Sequence, residues 1–391
     1  MAARKLADET LAVTTSCGLY DRKFTINSSQ KQWSMSELTG SPLLLDKTAE
    51  RFRYFAGKIY ADRSPLYTNL ALRVAEDLEL VRLAAASAQE KAALPNLFFA
   101  AVHLLLLKGE HHQLAAFYPS LNNSSRHYDY VYPYFRSFVL EHREEIRQIM
   151  MTHSVQTNEV GRCAVLVPAF ELVAAQTKRQ PMAIVEIGSS AGLTLLWDHY
   201  RYRYGNGLEC GDPNSPVKIE CSLRGEMRPP IPGQLPKLAS RTGIDLSPID
   251  VNNAENVQWL RALVWPDNQK RARQLEHAIQ FVKHAPPRII TGNALELLPS
   301  LIDKVPEKAP LCIYHSFTLT LAGGEPRENL HALLTKRSKK RDLFLVWLEW
   351  ATDSETPLIG LAKFNDGVKT EKILAKCHSH GEWLEWMNDS G

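Results

Sequence analysis

The strongest constraint on the fold is a change in hydrophobic pattern near residue 181. Before it, apolar residues recur at helical spacing, and after it short β-branched runs alternate with helical stretches of about ten or more residues. This alternation predicts a mainly parallel sheet covered by helices on both faces. Asp366 and Gly367 form a turn signal between two alternating runs, so an antiparallel hairpin is expected to close the sheet. The strands predicted before the hairpin are 183–187, 217–223, 288–291, 311–315 and 343–350.

Two domains are predicted, because a chain of 391 residues exceeds the usual size of one hydrophobic core. Residues 1–150 are predicted to form an all-helical N-terminal domain, and residues 151–391 are predicted to form the α/β domain. Within the first, Ser64 and Pro65 have the order of a helix cap and a first-turn proline. Around the first strand, helices are predicted from about Thr157 onward and over 193–204.

The composition excludes several classes of partner. Forty-six Lys and Arg residues against 43 Asp and Glu residues give a net charge of +3, too near balance to indicate nucleic acid or an anionic membrane. The most apolar run, 97–107, is much shorter than the roughly 20 residues that cross a bilayer. The six cysteines form no C-x-x-C pair and no apolar leader is evident, so reduced thiols and a cytoplasmic location are expected.

The stretch VEIGSSAGL, residues 185–193, fits two incompatible templates. With Glu186 it matches the first loop of a nucleotide-binding α/β domain, where small residues let backbone amides approach a ligand. From Gly188 to Gly192 it also matches Gly-x-Ser-x-Gly, a nucleophile elbow with Ser190 as the attacking hydroxyl. An elbow normally lies in mid-sheet after several strands, whereas this motif follows the first predicted strand. Its position therefore favours a ligand-binding loop.

Longer motifs extend the comparison over nearly the whole chain. They include VQTNEVGRCAVLVPAF, IVEIGSSAGLTLLWDHYRYRYG, RTGIDLSPIDV, WLRALVWPDNQKRARQLEHAI and CHSHGEWLEWM. Together they resemble a bacterial family catalogued as domain of unknown function 2332. The second half also resembles class I methyltransferases, which use S-adenosylmethionine. That resemblance implies a Rossmann-like sheet of seven strands, mainly parallel, with one antiparallel strand at the closing hairpin.

The resemblance assigns the loop after the first strand to S-adenosylmethionine. The usual methyltransferase loop is Glu/Asp-x-Gly-x-Gly-x-Gly, and here Ser190 replaces the middle glycine. Its amides, with those of the following helix, would face the methionine half of the cofactor. Two acids are candidates for the ribose hydroxyls: Glu220 by its spacing and Asp245 by its place at an expected strand end, with Asp245 preferred. The loop residues assigned to the cofactor are Glu186, Gly188, Ser189, Ser190, Ala191 and Gly192.

Further residues are assigned to the adenine, the reaction and the substrate. Asn293 follows a strand and is a candidate for contact with the adenine or for a helix cap. His315 ends another strand, with Ser316 beside it in the cofactor site, and a neutral imidazole there could accept a proton from the substrate. Glu349 is the second catalytic candidate. The substrate-binding candidates are Asn158, Glu159 and Arg162, which otherwise form a cap and an ion pair.

Three functions therefore stay open at the level of sequence. The leading one is an S-adenosylmethionine-dependent methyltransferase acting on a small or medium organic molecule. The alternatives are a serine hydrolase that uses Ser190 and a non-catalytic protein that binds a nucleoside ligand. No metal is expected, because Cys377, His378 and His380 lack a second cluster that would complete a tetrahedral site.

Overall fold

A computed structural model describes residues 41–86, 93–122, 127–205, 207–319, 324–351 and 354–387. The described part of the first 152 residues contains helices and turns but no strand, as predicted. The helices are α1 (Pro42–Tyr54), which continues as a π-helix (Phe55–Tyr60), α2 (Pro65–Val74), α3 (Leu78–Ala86), α4 (Leu94–Leu107), α5 (Val131–Glu141) and α6 (Arg143–Thr152), with short 3-10 turns at Gln113–Phe117 and Tyr128–Tyr130.

The predicted helix start at Ser64 is confirmed. Its side chain accepts a hydrogen bond from the Tyr67 amide at 3.2 Å, and Pro65 occupies the first turn of α2. A proline is well tolerated there because the first amides of a helix have no partner within it.

The second half contains helices α7 (Arg162–Gln176), α8 (Ala254–Ala262), α9 (Gln269–His284), α10 (Ala294–Lys304) and α11 (Gly324–Arg337). The strands are β1 (Met182–Ile187), β2 (Arg201–Arg203), β3 (Glu209–Gly211), β4 (Lys218–Glu220), β5 (Ser222–Arg224), β6 (Leu238–Asp245), β7 (Arg288–Thr291), β8 (Leu311–Ser316), β9 (Leu343–Glu349), β10 (Leu358–Asn365), β11 (Val368–Cys377) and β12 (Trp383–Trp386).

The fold is a mixed α/β arrangement with one large, mostly parallel sheet. Its nine strands have the order β5-β12-β11-β10-β9-β8-β1-β6-β7, and β2, β3 and β4 form a separate small sheet. The implied seven-stranded sheet is thus wider in the structure, because the short strands β5 and β12 extend one edge. The chain order reverses at β1, whose neighbours are β6 on one side and β8 on the other. Ligands of open α/β sheets bind at such a reversal, beyond the carboxyl ends of the strands.

The closing antiparallel hairpin is confirmed. β10 pairs antiparallel with both β9 and β11, and the turn residues Asp366 and Gly367 have φ values of +46° and +75°. A two-residue turn with positive φ at both positions matches the right-handed twist of the strands that it joins.

Two predictions around the first strand are wrong. The predicted helix over 193–204 is a short 3-10 helix (Thr194–His199) that runs into strand β2. The tyrosines at 200, 202 and 204 are fully buried at a spacing of two, which is the strand period. The predicted strand 217–223 is also divided, because β4 belongs to the small sheet and β5 to the edge of the large one.

Helix α7 begins later than predicted. Its first residue is Arg162, so Asn158 and Glu159 lie in the loop before it and do not share its face. Both side chains accept hydrogen bonds from backbone amides, at Leu193 (2.6 Å) and Gly161 (3.1 Å). These bonds hold the segment before α7 against the turn after β1 and against the start of the helix.

Apolar side chains form cores on both faces of the large sheet and within the helical half. The helical core also includes Trp259 and Trp265, from α8 and the loop after it. The Trp265 ring lies 5.2 Å from that of Tyr60, and the Asp267 carboxylate accepts a hydrogen bond from the Leu66 amide at 3.1 Å. The two halves therefore share an interface, and the boundary near residue 150 stays a prediction. Within the described ranges, no helix combines the length and apolar character needed to span a bilayer.

Candidate functional site

The loop after β1 is a tight turn held against the end of β6. Gly188, Ser190 and Gly192 have φ values of +76°, +50° and +74°. The amides of Gly188 and Ser189 donate to the Ile244 carbonyl at 2.8 and 3.2 Å. The Ser190 amide donates to Asp245 Oδ2 at 2.8 Å. The left-handed conformation that glycine adopts readily is thus also imposed on a serine.

Other amides of this turn are also bound by acceptors of the protein. The Gly192 amide donates to the Ser189 carbonyl at 2.7 Å, and the Leu193 amide donates to Asn158 Oδ1 at 2.6 Å. The following 3-10 helix has only six residues, too few for a strong N-terminal dipole. The turn therefore does not present the row of free amides that the carboxylate of S-adenosylmethionine would need.

Gly188 is expected to be required by packing as well as by backbone conformation. A Cβ there would collide with the Thr318 side chain, whereas a Cβ at Gly205, with a similar φ of +74°, would meet nothing within 4 Å. We expect Gly205→Ala to destabilise the chain by about 1–2 kcal/mol through backbone strain alone. Gly188→Ala should cost a further ~1–3 kcal/mol from overpacking, measured by urea unfolding. Equal losses in the two variants would contradict this packing.

Asp245 and Asn293 lie at the same edge of the sheet as the loop. Asp245 ends β6, is 7% exposed, and binds the amides of Ser190 and Ser247 through its two oxygens, both at 2.8 Å. Its carbonyl accepts a hydrogen bond from the Gly292 amide at 2.9 Å, which joins the end of β7 to this edge. Asn293 is the N-cap of α10, with its side chain bonded to the Leu295 amide at 2.9 Å.

The structure does not bring Glu220 to this edge. It lies in β4 of the small sheet, with its exposed carboxylate 2.6 Å from Lys270 Nζ. Of the two candidate acids for a ribose, only Asp245 is next to the glycine turn.

Glu186 lies buried beneath the turn. Its Oε1 accepts a hydrogen bond from Thr194 Oγ1 at 2.6 Å, and that hydroxyl is itself 3.3 Å from Asn158 Nδ2. The Tyr314 hydroxyl also interacts with the Glu186 carboxyl, whereas two buried hydroxyls of the turn, Ser189 Oγ and Ser190 Oγ, have no hydrogen-bond partner among the described residues. Burial raises the pKa of Glu186 to about 7, because the charged form loses its hydration.

The pKa of Glu186 predicts a specific loss of stability with rising pH. The carboxyl is protonated in the folded chain up to near neutral pH, whereas it ionises near pH 4.5 when unfolded. Its stabilising contribution is present below about pH 4.5 and disappears as the pH rises through about 7. Between about pH 5 and 8, the free energy of unfolding of the wild type, measured with urea, should fall by about 2–3 kcal/mol more than that of Glu186→Gln. The control Glu220→Gln changes a surface residue and should leave the dependence of the free energy of unfolding on pH as in wild type. The same pH dependence in Glu186→Gln and wild type would contradict a raised pKa for Glu186.

The two predicted catalytic residues are in contact. His315 Nδ1 lies 2.6 Å from Glu349 Oε1, and both side chains are about 2–3% exposed. The same oxygen accepts the amides of Thr318 and Leu319 at 2.9 and 3.0 Å. A carboxylate that binds an imidazole and two amides fixes both the ring and the loop after β8. In this conformation, however, His315 is too deeply buried to touch a substrate.

The loop after β8 covers the glycine turn. Thr318 Oγ1 donates to the Ile187 carbonyl at 3.1 Å and packs against Gly188. Ser316, partly exposed, lies at the end of β8, and the next residue, Phe317, packs its ring 4.6 Å from the Arg162 guanidinium carbon. Thr318 was not predicted, because only the fold brings it to Gly188.

The three predicted substrate residues have three different sets of partners. Arg162 binds backbone and hydroxyl oxygens, with Nε 3.1 Å from the Ser379 carbonyl and Nη2 3.4 Å from Thr157 Oγ1. Glu159 instead forms a buried ion pair with Arg271 of α9, and Asn158 supports the glycine turn. A pocket beside this pair is lined by Thr157, Asn158, Glu159, Val160, Leu260, Leu263, Val264, Arg271 and Leu275.

Comparison with known proteins identifies the family. A family model described as "Uncharacterized protein conserved in bacteria (DUF2332)" matches residues 49–386. The chain belongs to the DUF2332 family. Searches among curated proteins and solved structures return no match.

In this DUF2332 chain, the carboxyl ends of β1, β6 and β8 therefore meet around one polar corner. Ser190 and Asp245 are in direct contact there, and His315 with Glu349 supports the loop that covers it. The corner contains a carboxylate with further lone pairs and two serine hydroxyls that no described residue binds. Such groups can bind the hydroxyls of a polar ligand.

Proposed function

We propose that this chain is an S-adenosylmethionine-dependent methyltransferase whose acceptor is a small or medium organic molecule. The proposal depends mainly on one observation, the 2.8 Å hydrogen bond between the Ser190 amide and Asp245 Oδ2 at the point where the strand order reverses. It places an acid at the end of a neighbouring strand directly beside a glycine turn. An acid in this position binds ribose hydroxyls in nucleotide-binding α/β domains.

The residues fit the nucleoside half of the cofactor better than its methionine half. Each oxygen of Asp245 accepts one amide and can accept a second donor, so the carboxylate can also bind a ribose diol. The amides expected to bind the methionine carboxylate are instead bonded to Asp245, Asn158 and backbone carbonyls. When bound, the cofactor would supply a sulfonium methyl group for direct displacement by the acceptor.

The other polar residues would support the site. Glu349 holds His315 and the amide of Thr318, which fixes the loop over the turn. Asn158 holds the far end of the turn, and Thr194 connects it to Glu186. Such side chains contribute by positioning the loop around a bound molecule, and alignment in a dry pocket is the main source of rate in a displacement of this type.

Calorimetric titration with S-adenosylmethionine and S-adenosylhomocysteine tests the proposal. We expect one site per chain, with a dissociation constant of about 1–100 μM, which corresponds to roughly −5 to −8 kcal/mol. Absence of heat with both compounds at micromolar protein, confirmed by absence of any shift in the unfolding temperature, would contradict the proposal.

A serine hydrolase is the second candidate, favoured by the φ of +50° at Ser190. A left-handed serine within Gly-x-Ser-x-Gly is a feature of a nucleophile elbow. However, Ser190 Oγ is buried and, within the described part of the chain, bonded to no histidine that could act as a general base. We expect no labelling by a fluorophosphonate probe. Labelling that disappears in Ser190→Ala but persists in Ser189→Ala would favour the hydrolase instead.

A further inference from the structure

A cluster of possible metal ligands lies in the turn between β11 and β12, separate from the glycine turn. His378, His380 and Glu382 each offer one ligand atom, and these atoms lie within 4.8 Å of one another. His378 Nδ1 and Glu382 Oε2 are 3.6 Å apart. We propose that these three side chains bind one divalent transition-metal ion of the zinc type. This proposal does not depend on methyl transfer.

The spacing of the ligand atoms suits such an ion. Zinc binds histidine nitrogen and carboxylate oxygen at about 2.0–2.2 Å, so two ligands of a tetrahedral ion are about 3.4 Å apart. The observed 3.6 Å between nitrogen and oxygen is close to this value. Two histidines and one carboxylate form a ligand set that leaves at least one position for water or an anion.

The turn that carries the ligands is held rigidly. Gly381 has a φ of +78° and packs against the backbone of Gly161, and a Cβ on either glycine would collide with the backbone of the other segment. Arg162 Nε also donates to the Ser379 carbonyl at 3.1 Å. A turn fixed on both sides loses little conformational freedom when it binds an ion, which favours binding.

The histidine environment is consistent with metal coordination. His378 is 3% exposed, and its Nε2 has no hydrogen-bond partner among the described residues. Its Nδ1 accepts a long bond of 3.3 Å from the His380 amide and lies 3.6 Å from Glu382 Oε2. A ring nitrogen with an available lone pair is the atom through which histidine binds metals.

The surrounding charge indicates what completes the coordination. Arg271 and Arg63 contribute positive potential at both histidines, and Arg224 adds to it at His378 and Arg162 at His380. This potential opposes a cation, and the Glu382 carboxylate offsets part of the cost. An anion or hydroxide is therefore the expected occupant of the remaining position. The expectation of no metal considered Cys377, His378 and His380, and it missed Glu382, four residues after His378.

Calorimetric titration of the untagged, chelator-treated full chain with Zn²⁺ tests the proposal. We expect one equivalent to bind, with at least about 10-fold weaker affinity in Glu382→Gln and about 100-fold weaker affinity in His380→Gln, because removing a ligand should cost at least as much as removing its hydrogen-bond partner. Co²⁺ should give a visible absorption band that appears at a higher Co²⁺ concentration in both variants than in wild type.

The control is Glu385→Gln, a nearby acid that is outside the cluster and should leave zinc affinity unchanged. Glu382 is half exposed, so its variant is expected to fold even if changes at buried His378 disrupt the turn. Absence of Zn²⁺ binding at micromolar concentration would overturn the proposal. Equal affinity in wild type, Glu382→Gln and His380→Gln would also overturn it, because the ion would then be held by other residues.

Discussion

Replacing Arg271 with methionine is expected to destabilise the chain by about 3–5 kcal/mol, since it leaves the Glu159 carboxylate buried without its cation. Arg271 Nε and Nη2 lie 2.7 and 2.5 Å from Glu159 Oε2, and both side chains are 7–8% exposed. Arg271 also lies 5.6 Å from the Trp265 ring centre, at the interface with the helical half. Loss of the guanidinium therefore removes contacts to both halves of the chain.

A second, solvent-exposed ion pair provides a matched control. Arg261 of α8 makes a two-pronged ion pair with Glu276, at 2.5 and 2.7 Å, but these side chains are 43% and 37% exposed. Arg261→Met should cost only about 0–1 kcal/mol, because water screens an exposed pair. Urea unfolding of both variants gives the comparison. Similar losses of stability in Arg271→Met and Arg261→Met would show that burial does not determine how much the Arg271 ion pair stabilises the chain.

The double variant Glu159→Gln with Arg271→Met adds a second comparison. Glutamine keeps an oxygen that can accept the Gly161 amide, as Glu159 Oε1 does at 3.1 Å. Because no uncompensated charge remains, the double variant should recover about 1–3 kcal/mol of the loss in Arg271→Met. A double variant no more stable than Arg271→Met would contradict this, because the unpaired Glu159 charge would then not be the cause of the loss.

Replacing Asp245 with asparagine is expected to weaken binding of S-adenosylhomocysteine by roughly 30- to 1,000-fold. This range follows from the loss of charged hydrogen bonds to a ribose, at about 2–4 kcal/mol in total. Calorimetric titration of wild type and variant measures the change directly. Glu220→Gln is the matched control, because Glu220 was the other candidate acid and lies exposed in the small sheet.

Asp245→Asn will also disturb the turn itself. An asparagine has one oxygen and one NH₂ group, so it cannot accept both amides that Asp245 binds, from Ser190 and Ser247. We expect a fall in stability as well, so the titration must be made well below the unfolding temperature of the variant. Unchanged affinity in folded Asp245→Asn would remove the ribose role from this residue.

Local signals in the sequence predicted several elements well. Ser64 and Pro65 marked a helix start, and Asp366 with Gly367 marked the turn of the closing hairpin. Both depend on residue types that favour one backbone conformation over a few positions. Asp245 was preferred because its local context resembles a strand end before a helix cap, and it does end β6, but the strand Leu238–Asp245 itself was not among those predicted.

Other features could not be derived because they depend on distant residues. The Glu159–Arg271 pair joins positions 112 apart, and only the fold reveals it. The glycine turn was predicted to expose its amides, but acceptors from Asp245 and Asn158 occupy two of them. The alternating tyrosines of 200–204 had the strand period, and a helical interpretation overlooked it.

The central claim is that a nucleoside cofactor binds where the turn after β1 meets Asp245. A crystal structure of the full chain with S-adenosylhomocysteine tests it most directly. The account predicts the adenosyl group at the carboxyl ends of β1 and β6, with both ribose hydroxyls on the Asp245 carboxylate. A ligand bound elsewhere, with Asp245 still bonded only to the amides of Ser190 and Ser247, would contradict it.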